Sequence, residues 1–221
     1  MKESLIGLYV DNTEVPEYKS AGASGFDLRA QYSDDVIHLS YPDINAILNE
    51  GNTEILSDIY VNRYGVEDWV IDFYKFRHSV IHALRQPIIE NNIEYSLLKY
   101  MKNNDIHDIN IITPYTVAKF PTNVYTELPE EDEMQIRPRS GISSTTLLDI
   151  KFGTVDNDWR GNSGIIVQNP TPYSYVIIPG TRLAQGVIVE KKRAVFDIKS
   201  SKDELSKTER GENGFGKSGL M

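Results

Sequence analysis

The sequence contains no cysteine among its 221 residues. This absence excludes disulfides, thiolate zinc sites and cysteine nucleophiles, and it fits a reducing compartment. No apolar run approaches the length of a membrane-spanning helix, and the first residues, MKESLIGLYVDNTE, become polar too early for a signal peptide. We therefore expect a cytoplasmic protein, or one of the host cytoplasm if the source is viral, that has no membrane partner.

Basic residues are outnumbered: 23 Lys and Arg stand against 32 Asp and Glu, which gives a formal net charge of −9. A nonspecific nucleic-acid binder needs a basic surface that releases counterions from phosphates, so nucleic acid is not an expected partner. A small phosphorylated ligand is compatible with the acidic balance because it needs only a few local arginines.

The chain contains two kinds of sequence pattern, one typical of strands and one typical of helices. The beginning and the second half consist of short β-branched and aromatic runs broken by Gly, Pro, Asn and Asp, for example SGIIVQN and YSYVIIPG, which predict the strands of an all-β barrel or jelly-roll-like fold. Between them, apolar residues recur at spacings of three and four, which is typical of amphipathic helices. The predicted organisation is a discontinuous β domain at 1–40 and 108–206, an α-helical insertion at 41–107 and a C-terminal arm at 207–221.

The helical pattern of the insertion extends through Ile89, Ile93, Leu97 and Met101. Its apolar residues are too numerous for a free solvated arm. They are expected to pack on the β body of the same chain, or to leave part of an apolar face for another protein.

Five stretches carry residue types suited to binding a phosphorylated ligand. They are SAGASGFDLRA with Asp27, RPRSGISS with Arg139, GTVDNDWRGNSG with Asp156, RLAQGVIV with Gln185, and RGENGFGKSG with Arg210. Glycines let backbone amides approach an anion closely, arginine supplies a forked charge, and an aromatic ring offers a stacking surface. Each stretch alone is weak evidence of function.

In this order, the five stretches closely resemble the five motifs of the homotrimeric deoxyuridine triphosphatase (dUTPase) family. The resemblance covers roughly 3–30 and 111–221, and leaves the helical insertion outside it. It implies a jelly-roll-like dUTPase barrel that forms a homotrimer with shared active sites. It further implies Mg²⁺-assisted hydrolysis of dUTP to dUMP and pyrophosphate, which limits uracil incorporation into DNA and supplies dUMP for thymidylate synthesis.

The resemblance also implies a role for particular residues. Asp156 is the expected base that prepares the attacking water, and Asp27 and Gln185 are expected to act on Mg²⁺ indirectly, through water. The expected phosphate contacts are Arg139, Ser140, Gly141, Gln185, Arg210, Gly216 and Ser218. The expected uracil and deoxyribose contacts are Gly153, Trp159, Gly164 and Phe215.

Two residues depart from the family pattern. Trp159 stands where the family usually has a tyrosine under the deoxyribose, and Lys217 replaces a usual serine in the tail. Two alternatives to the dUTPase interpretation are a dCTP deaminase-like enzyme of the same fold and a nucleotide-sensing regulatory protein that contacts a partner through the insertion.

Overall fold

The computed structural model describes residues 3–64, 69–90 and 93–212. The chain divides into two compact units, Met1–Lys191 and Lys192–Met221. The first unit contains all of the strands and the helices α1 to α5 among the described residues.

Fourteen short strands form in the described part of the first unit. They are β1 Gly7–Val10, β2 Phe26–Arg29, β3 Ile37–Ser40, β4 Ile88–Glu90, β5 Ile93–Tyr95, β6 Asp108–Ile112, β7 Val117–Pro121, β8 Val124–Glu127, β9 Asp132–Pro138, β10 Asp149–Ile150, β11 Gly153–Val155, β12 Gly164–Gln168, β13 Tyr175–Ile177 and β14 Arg182–Glu190. They pair antiparallel in five sheets, with the orders β1-β8, β10-β12-β7, β11-β9-β14-β2, β13-β6-β3 and β4-β5.

The helices lie mainly between β3 and β6. They are α1 Tyr41–Asn45, which continues as a π-helical turn at Ala46–Glu50, α2 Glu54–Tyr64, α3 Trp69–Leu84, α4 Leu97–Asn103 and, later in the chain, α5 Ser140–Thr145. A capping box starts α1: the Ser40 hydroxyl accepts from the Asp43 backbone N–H, and the Asp43 carboxylate accepts from the Ser40 backbone N–H. This cap ends β3 and turns the chain into the helical segment.

The strands of the β body alternate between buried and half-exposed residues, as strands covered on one face do. In β9, for example, Met134 and Ile136 are buried whereas Gln135 and Arg137 are half-exposed. The inward side chains join one apolar core, which contains among others Phe26, Leu28, Phe120, Val155, Ile165, Val167 and Ala184.

A second apolar core lies between the helices and the sheet β13-β6-β3. From the helical side it contains Ile44, Leu56, Tyr60, Phe76, Val80, Leu84, Leu97 and Met101, and from the sheet Ile37, Leu39, Ile109 and Ile111. Strand β6 contributes to both cores, because Ile109 and Ile111 face the helices whereas Ile112 belongs to the core of the β body. The expectation that the helical segment packs on its own β body is therefore confirmed for these residues.

One prediction about the insertion is wrong. The helical spacing read through Ile89 and Ile93 is interrupted by the antiparallel pair β4-β5, and helix resumes only at Leu97. Pro87 cannot continue a helix, and the β-branched Ile88 and Ile89 that follow it favour extended backbone. The apolar positions alone did not distinguish these alternatives.

The all-β character of the body is confirmed, with helices added to it. The described strands form five separate sheets, so closure into a single barrel is not confirmed. No helix among the described residues is long and apolar enough to cross a membrane.

The described part of the second unit, residues 192–212, is mostly extended and contains one 3₁₀ turn at Lys202–Glu204. Its apolar side chains Val195, Phe196 and Ile198 are 98%, 84% and 89% exposed. This segment therefore has no apolar core of its own among the described residues.

Candidate functional site

The sheet β11-β9-β14-β2 carries three of the predicted site residues, Asp27, Gly153 and Gln185, and two more, Arg139 and Asp156, directly follow its strands β9 and β11. In its register Asp27 of β2 lies opposite Gln185 of β14, and Gln185 also lies opposite Arg137 of β9. Arg139 follows β9 directly. Antiparallel pairing thus brings together residues that are more than 150 positions apart in the sequence.

Asp27 is the electrostatic centre of this cluster, and its side chain is 12% exposed. Its Oδ1 accepts from Nε of Arg139 at 2.7 Å, and its Oδ2 accepts from a terminal nitrogen of Arg182 at 3.2 Å. The Arg139 guanidinium also donates to the backbone carbonyl of Arg182 at 2.9 Å. These contacts use two of the five N–H groups of Arg139, so the fork keeps donors for an anion.

Gln185 is fixed from two sides. Its amide nitrogen donates to the carbonyl of Pro138 at 3.0 Å. Its Oε1 would lie 2.8 Å from a Cβ placed on Gly25, so a larger residue there would displace the amide. The glycine-rich turn before β2 therefore gives the Gln185 side chain its room.

Ser140 and Gly141 form the start of α5, immediately after Arg139, and both are exposed. The structure thus places the Arg139–Ser140–Gly141 segment at the surface beside the Asp27 pair. The sequence analysis named Asp27, Arg139 and Gln185, which the sheet brings together, but not Arg182, which contacts Asp27. The signal was present, since Arg182 opens the RLAQG stretch, but nothing in the sequence showed which face of the strand it takes.

Asp156 lies in a turn directly after β11. The backbone N–H of Trp159 donates to the Asp156 carbonyl at 3.1 Å, and Asp156 is exposed. The Trp159 ring folds back over Gly161, where an added Cβ would overlap ring carbon Cζ2, so a larger residue there would displace the ring. Trp159 is 52% exposed and offers an open aromatic surface in the turn that carries Asp156.

The two groups of predicted residues lie at opposite ends of the same sheet. Val155 pairs with Met134, which places Asp156 level with Glu133 of β9, whereas Arg139 is six residues further on, directly after the end of β9. At a rise of about 3.3 Å per residue, the backbones of Asp156 and Arg139 are about 20 Å apart. Within one chain, the carboxylate of Asp156 therefore does not share a site with the Asp27–Arg139 cluster.

The two predicted uracil-binding glycines stand on different sheets. Gly153 begins β11 opposite Ile136, and Gly164 begins β12 opposite Pro121. A Cβ on Gly164 would approach the Lys119 side chain to 3.0 Å. Both are half-buried, and they stand before and after the Asp156–Gly161 turn in the sequence.

The tail residues are only partly described. Arg210 is exposed, and Gly211 after it has φ +53°, with its N–H bonded to the Thr208 carbonyl in a tight turn. Phe215, Gly216 and Ser218 lie outside the described residues, so their predicted contacts stay predictions.

The resemblance implies a Mg²⁺ ion at this site. Among the described residues no group of three or more acidic, His or Cys side chains is arranged to hold a metal directly. Asp27 and Gln185 nevertheless place a carboxylate and an amide side by side on the sheet face. This set fits a Mg²⁺ ion that is carried by ligand phosphates and contacted through water, as is usual for this ion.

A family model for dUTPase matches residues 107–219. A deoxyuridine 5'-triphosphate nucleotidohydrolase of Roseobacter denitrificans is 39% identical over 111 residues, which cover 49% of this chain and 70% of that protein. The protein of the same name from a Hydrogenobaculum species is 39% identical over 119 residues, which cover 52% of this chain and 79% of that protein.

Two solved structures share the fold over nearly the whole chain. A Staphylococcus bacteriophage 80alpha dUTPase mutant with dUpNHpp has a TM-score of 0.58 at 18% identity and covers 99% of this chain and 100% of its own. A mutant dUTPase from phage phi11 of S. aureus, in which a structural Mg(II) ion is coordinated, has a TM-score of 0.51 at 16% identity over 90% of this chain and 99% of its own.

Proposed function

Because the chain belongs to the dUTPase family, a family of dUTP diphosphatases, we propose that it hydrolyses dUTP to dUMP and pyrophosphate by attack of water on the α-phosphorus. The observation that carries the proposal is the Asp27–Arg139–Gln185 cluster, in which three separate motifs meet on one sheet face with phosphate-binding chemistry. The activity limits uracil incorporation into DNA and supplies dUMP for thymidylate synthesis.

The cluster forms the phosphate-binding part of the site. Arg139 is held by Asp27 through Nε and by the Arg182 carbonyl through a terminal nitrogen, so its remaining N–H groups are oriented before the ligand arrives. Ser140 and the Gly141 backbone extend this set. Because these donors are already oriented, little side-chain conformational entropy is lost when the anion binds, and its binding free energy is more favourable.

Asp156 is the base. It orients the attacking water and takes its proton as the bond to the α-phosphorus forms and the bond to the bridging oxygen of pyrophosphate breaks. Its exposure in the isolated chain suits a group that becomes covered only when the site is complete.

The turn that carries Asp156 also recognises the nucleoside. The Trp159 ring packs under the deoxyribose and leaves little space for a 2′-hydroxyl, and the backbones at Gly153 and Gly164 contact the edge of uracil. Phe215 stacks on the base, and Arg210, Gly216 and Ser218 contact the phosphates when the C-terminal arm closes over the site. A mismatched base would leave buried polar groups unpaired, which costs about 1–3 kcal/mol for each group.

The site is completed between copies of the chain in a homotrimer. The distance of about 20 Å between the backbones of Asp156 and Arg139 in one chain supports this, because the base and the phosphate donors must act on one triphosphate. The exposed apolar residues of the second unit are also consistent with burial in an assembly.

Mg²⁺ fits as a cofactor carried by the triphosphate, where it neutralises charge on the phosphate oxygens. Asp27 and Gln185 would hold water molecules of its hydration shell. Direct coordination is not expected of Asp27, because two guanidinium groups already occupy its oxygens.

The test is pyrophosphate release from dUTP in the presence of Mg²⁺, with dCTP, dTTP and UTP as comparison substrates. Release from dUTP with little from the others is expected. Conversion of dCTP to dUTP or dUMP with ammonia release would instead support the deaminase alternative, and binding of nucleotide without turnover would support the sensing alternative.

A partner at the helical insertion remains a prediction. Phage dUTPases of the 80alpha type are described as controlling the transfer of virulence genes by a G protein-like mechanism. In this chain the apolar residues of the helices that join the second core, such as Leu56, Phe76 and Val80, face their own sheet, and this favours a packed segment over a free apolar docking face, although Tyr74 is 61% exposed.

A further inference from the structure

We propose that Arg182 is a positioning residue of the phosphate site, and that the β-bulge in β14 places its side chain on the sheet face that carries Asp27 and Gln185. The inference rests on the proposed function, since it concerns the same triphosphate. It assigns a role to a residue that neither the family resemblance nor the comparisons assign.

The bulge determines the face on which Arg182 lies. Strand β14 pairs with β2 in register at Gln185 and Ala184, but the register then shifts, and Arg182 lies opposite Arg29. Two residues of β14 thus correspond to one step of β2. In a regular ladder Leu183 would oppose Arg29 on the outer face, and Arg182 would point into the core.

The exposed fractions of the residues around the bulge support this description of the strand. Leu183 and Ala184 are 2% and 0% exposed, so two consecutive residues face the core, whereas the Arg182 side chain is 43% exposed. Bulges next to active sites commonly redirect a side chain in this way. The extra residue therefore moves the guanidinium onto the face that carries Asp27 and Gln185.

From this position Arg182 contacts both members of the Asp27–Arg139 pair. Its guanidinium donates to Oδ2 of Asp27, and its backbone carbonyl accepts from the Arg139 guanidinium. The second cation matters because a single carboxylate would otherwise compete with phosphate for all of the Arg139 charge. Shared between two arginines, Asp27 orients Arg139 while leaving it net positive charge for the ligand.

Removing the Arg182 guanidinium should therefore loosen the Asp27 carboxylate and misplace Arg139. We expect Arg182→Gln to lower kcat/KM for dUTP by about tenfold or more, since small displacements of positioned groups have effects of this order. Arg182→Lys keeps the charge but loses the fork, and should recover part of the loss.

Competitive inhibition provides a readout that general destabilisation would not move. With Arg182→Gln, the inhibition constant of dUDP should rise clearly more than that of deoxyuridine, which has no phosphate. The matched control is Arg29→Gln, on the same sheet face opposite Arg182, whose side chain contacts the Gly180 carbonyl and Glu14. This variant should lower the melting temperature, but it should change the inhibition constants of dUDP and deoxyuridine by the same factor.

A double-mutant cycle tests whether Arg182 acts through Asp27. In an Asp27→Asn background, Arg182→Gln should change kcat/KM by no more than about twofold, because the interaction is already lost. Full additivity, equal changes for dUDP and deoxyuridine, or the same pattern in Arg29→Gln would overturn the inference. If the wild-type chain releases no pyrophosphate from dUTP, the proposed function fails instead, and dUDP binding measured by calorimetry still tests Arg182 separately.

Discussion

Mixing two inactive variants of the chain tests whether the base and the phosphate donors come from different copies. Asp156→Asn removes the proposed base, and Arg139→Ala removes the proposed central phosphate donor. Each homotrimer should have a turnover lower by orders of magnitude while retaining the fold, because both side chains lie at the surface of the sheet and outside the apolar core.

The distance between the two residues determines how much activity a mixture of the two variants should recover. With about 20 Å between the Asp156 and Arg139 backbones in one chain, the proposed shared site takes the two residues from two different copies. In a random equal mixture, a site receives an intact Arg139 in half of the cases and an intact Asp156 in half, so about a quarter of the sites are complete. Pyrophosphate release from dUTP after joint unfolding and refolding should therefore reach about a quarter of the wild-type rate.

A second mixture separates this outcome from simple dilution. The double variant Arg139→Ala/Asp156→Asn mixed equally with wild type gives about a quarter of complete sites if the residues come from two copies, but about half if they come from one. No recovery in the first mixture, together with half activity in the second, would refute the shared-site argument. Size-exclusion chromatography of each mixture confirms that mixed trimers have formed.

Three further changes test the rest of the site. Trp159→Ala should narrow the preference for dUTP over UTP more than that for dUTP over dCTP, because the half-exposed ring is the proposed support under the sugar; equal loss in both kcat/KM ratios would contradict this role. Ending the chain before Arg210 should lower kcat/KM by at least about tenfold through loss of a charge-assisted phosphate contact, with an unchanged melting temperature; full activity would show that the arm is not a lid. Replacing 41–107 by a Gly/Ser turn should abolish soluble protein, because Leu39 and Ile111 would lose their cover; a stable, active trimer would show that the lobe is dispensable.

Much of the site could be predicted from the sequence, because motifs state which residue types stand at which spacing. Asp27, Arg139 and Gln185 were found in this way, and pairing then brought them together. Arg182 was not found, since its position depends on a register shift that no local pattern records. The β4-β5 pair was missed because isoleucines at helical spacing also suit two short strands.

The helical insertion at 41–107, called the lobe below, is linked to the Asp27–Arg139 cluster through strand β13 and the turn that follows this strand. The Ser79 hydroxyl of α3 lies 2.8 Å from the Ser174 hydroxyl and accepts from the Ser174 backbone N–H.

Strand β13 follows this contact, and its Val176, together with Ile178 just beyond it, packs against the second core. Next comes Gly180, with φ +89°, whose carbonyl accepts from Arg29 and whose N–H donates to the Ala30 carbonyl. Two residues later the chain reaches Arg182 and the bulge.

The lobe therefore does more than cover the sheet β13-β6-β3, because it also stabilises the segment that leads to Arg182. Leu39, Ile109 and Ile111 are each fully buried beneath it, and exposing three such side chains would cost about 5–9 kcal/mol, comparable with the whole net stability of a domain. A change that loosened the lobe would thus loosen the segment that delivers Arg182. The loss should appear first in the affinity for phosphate-bearing ligands, since the Asp156 turn lies at the other end of the sheet and has no strand in common with the lobe among the described residues.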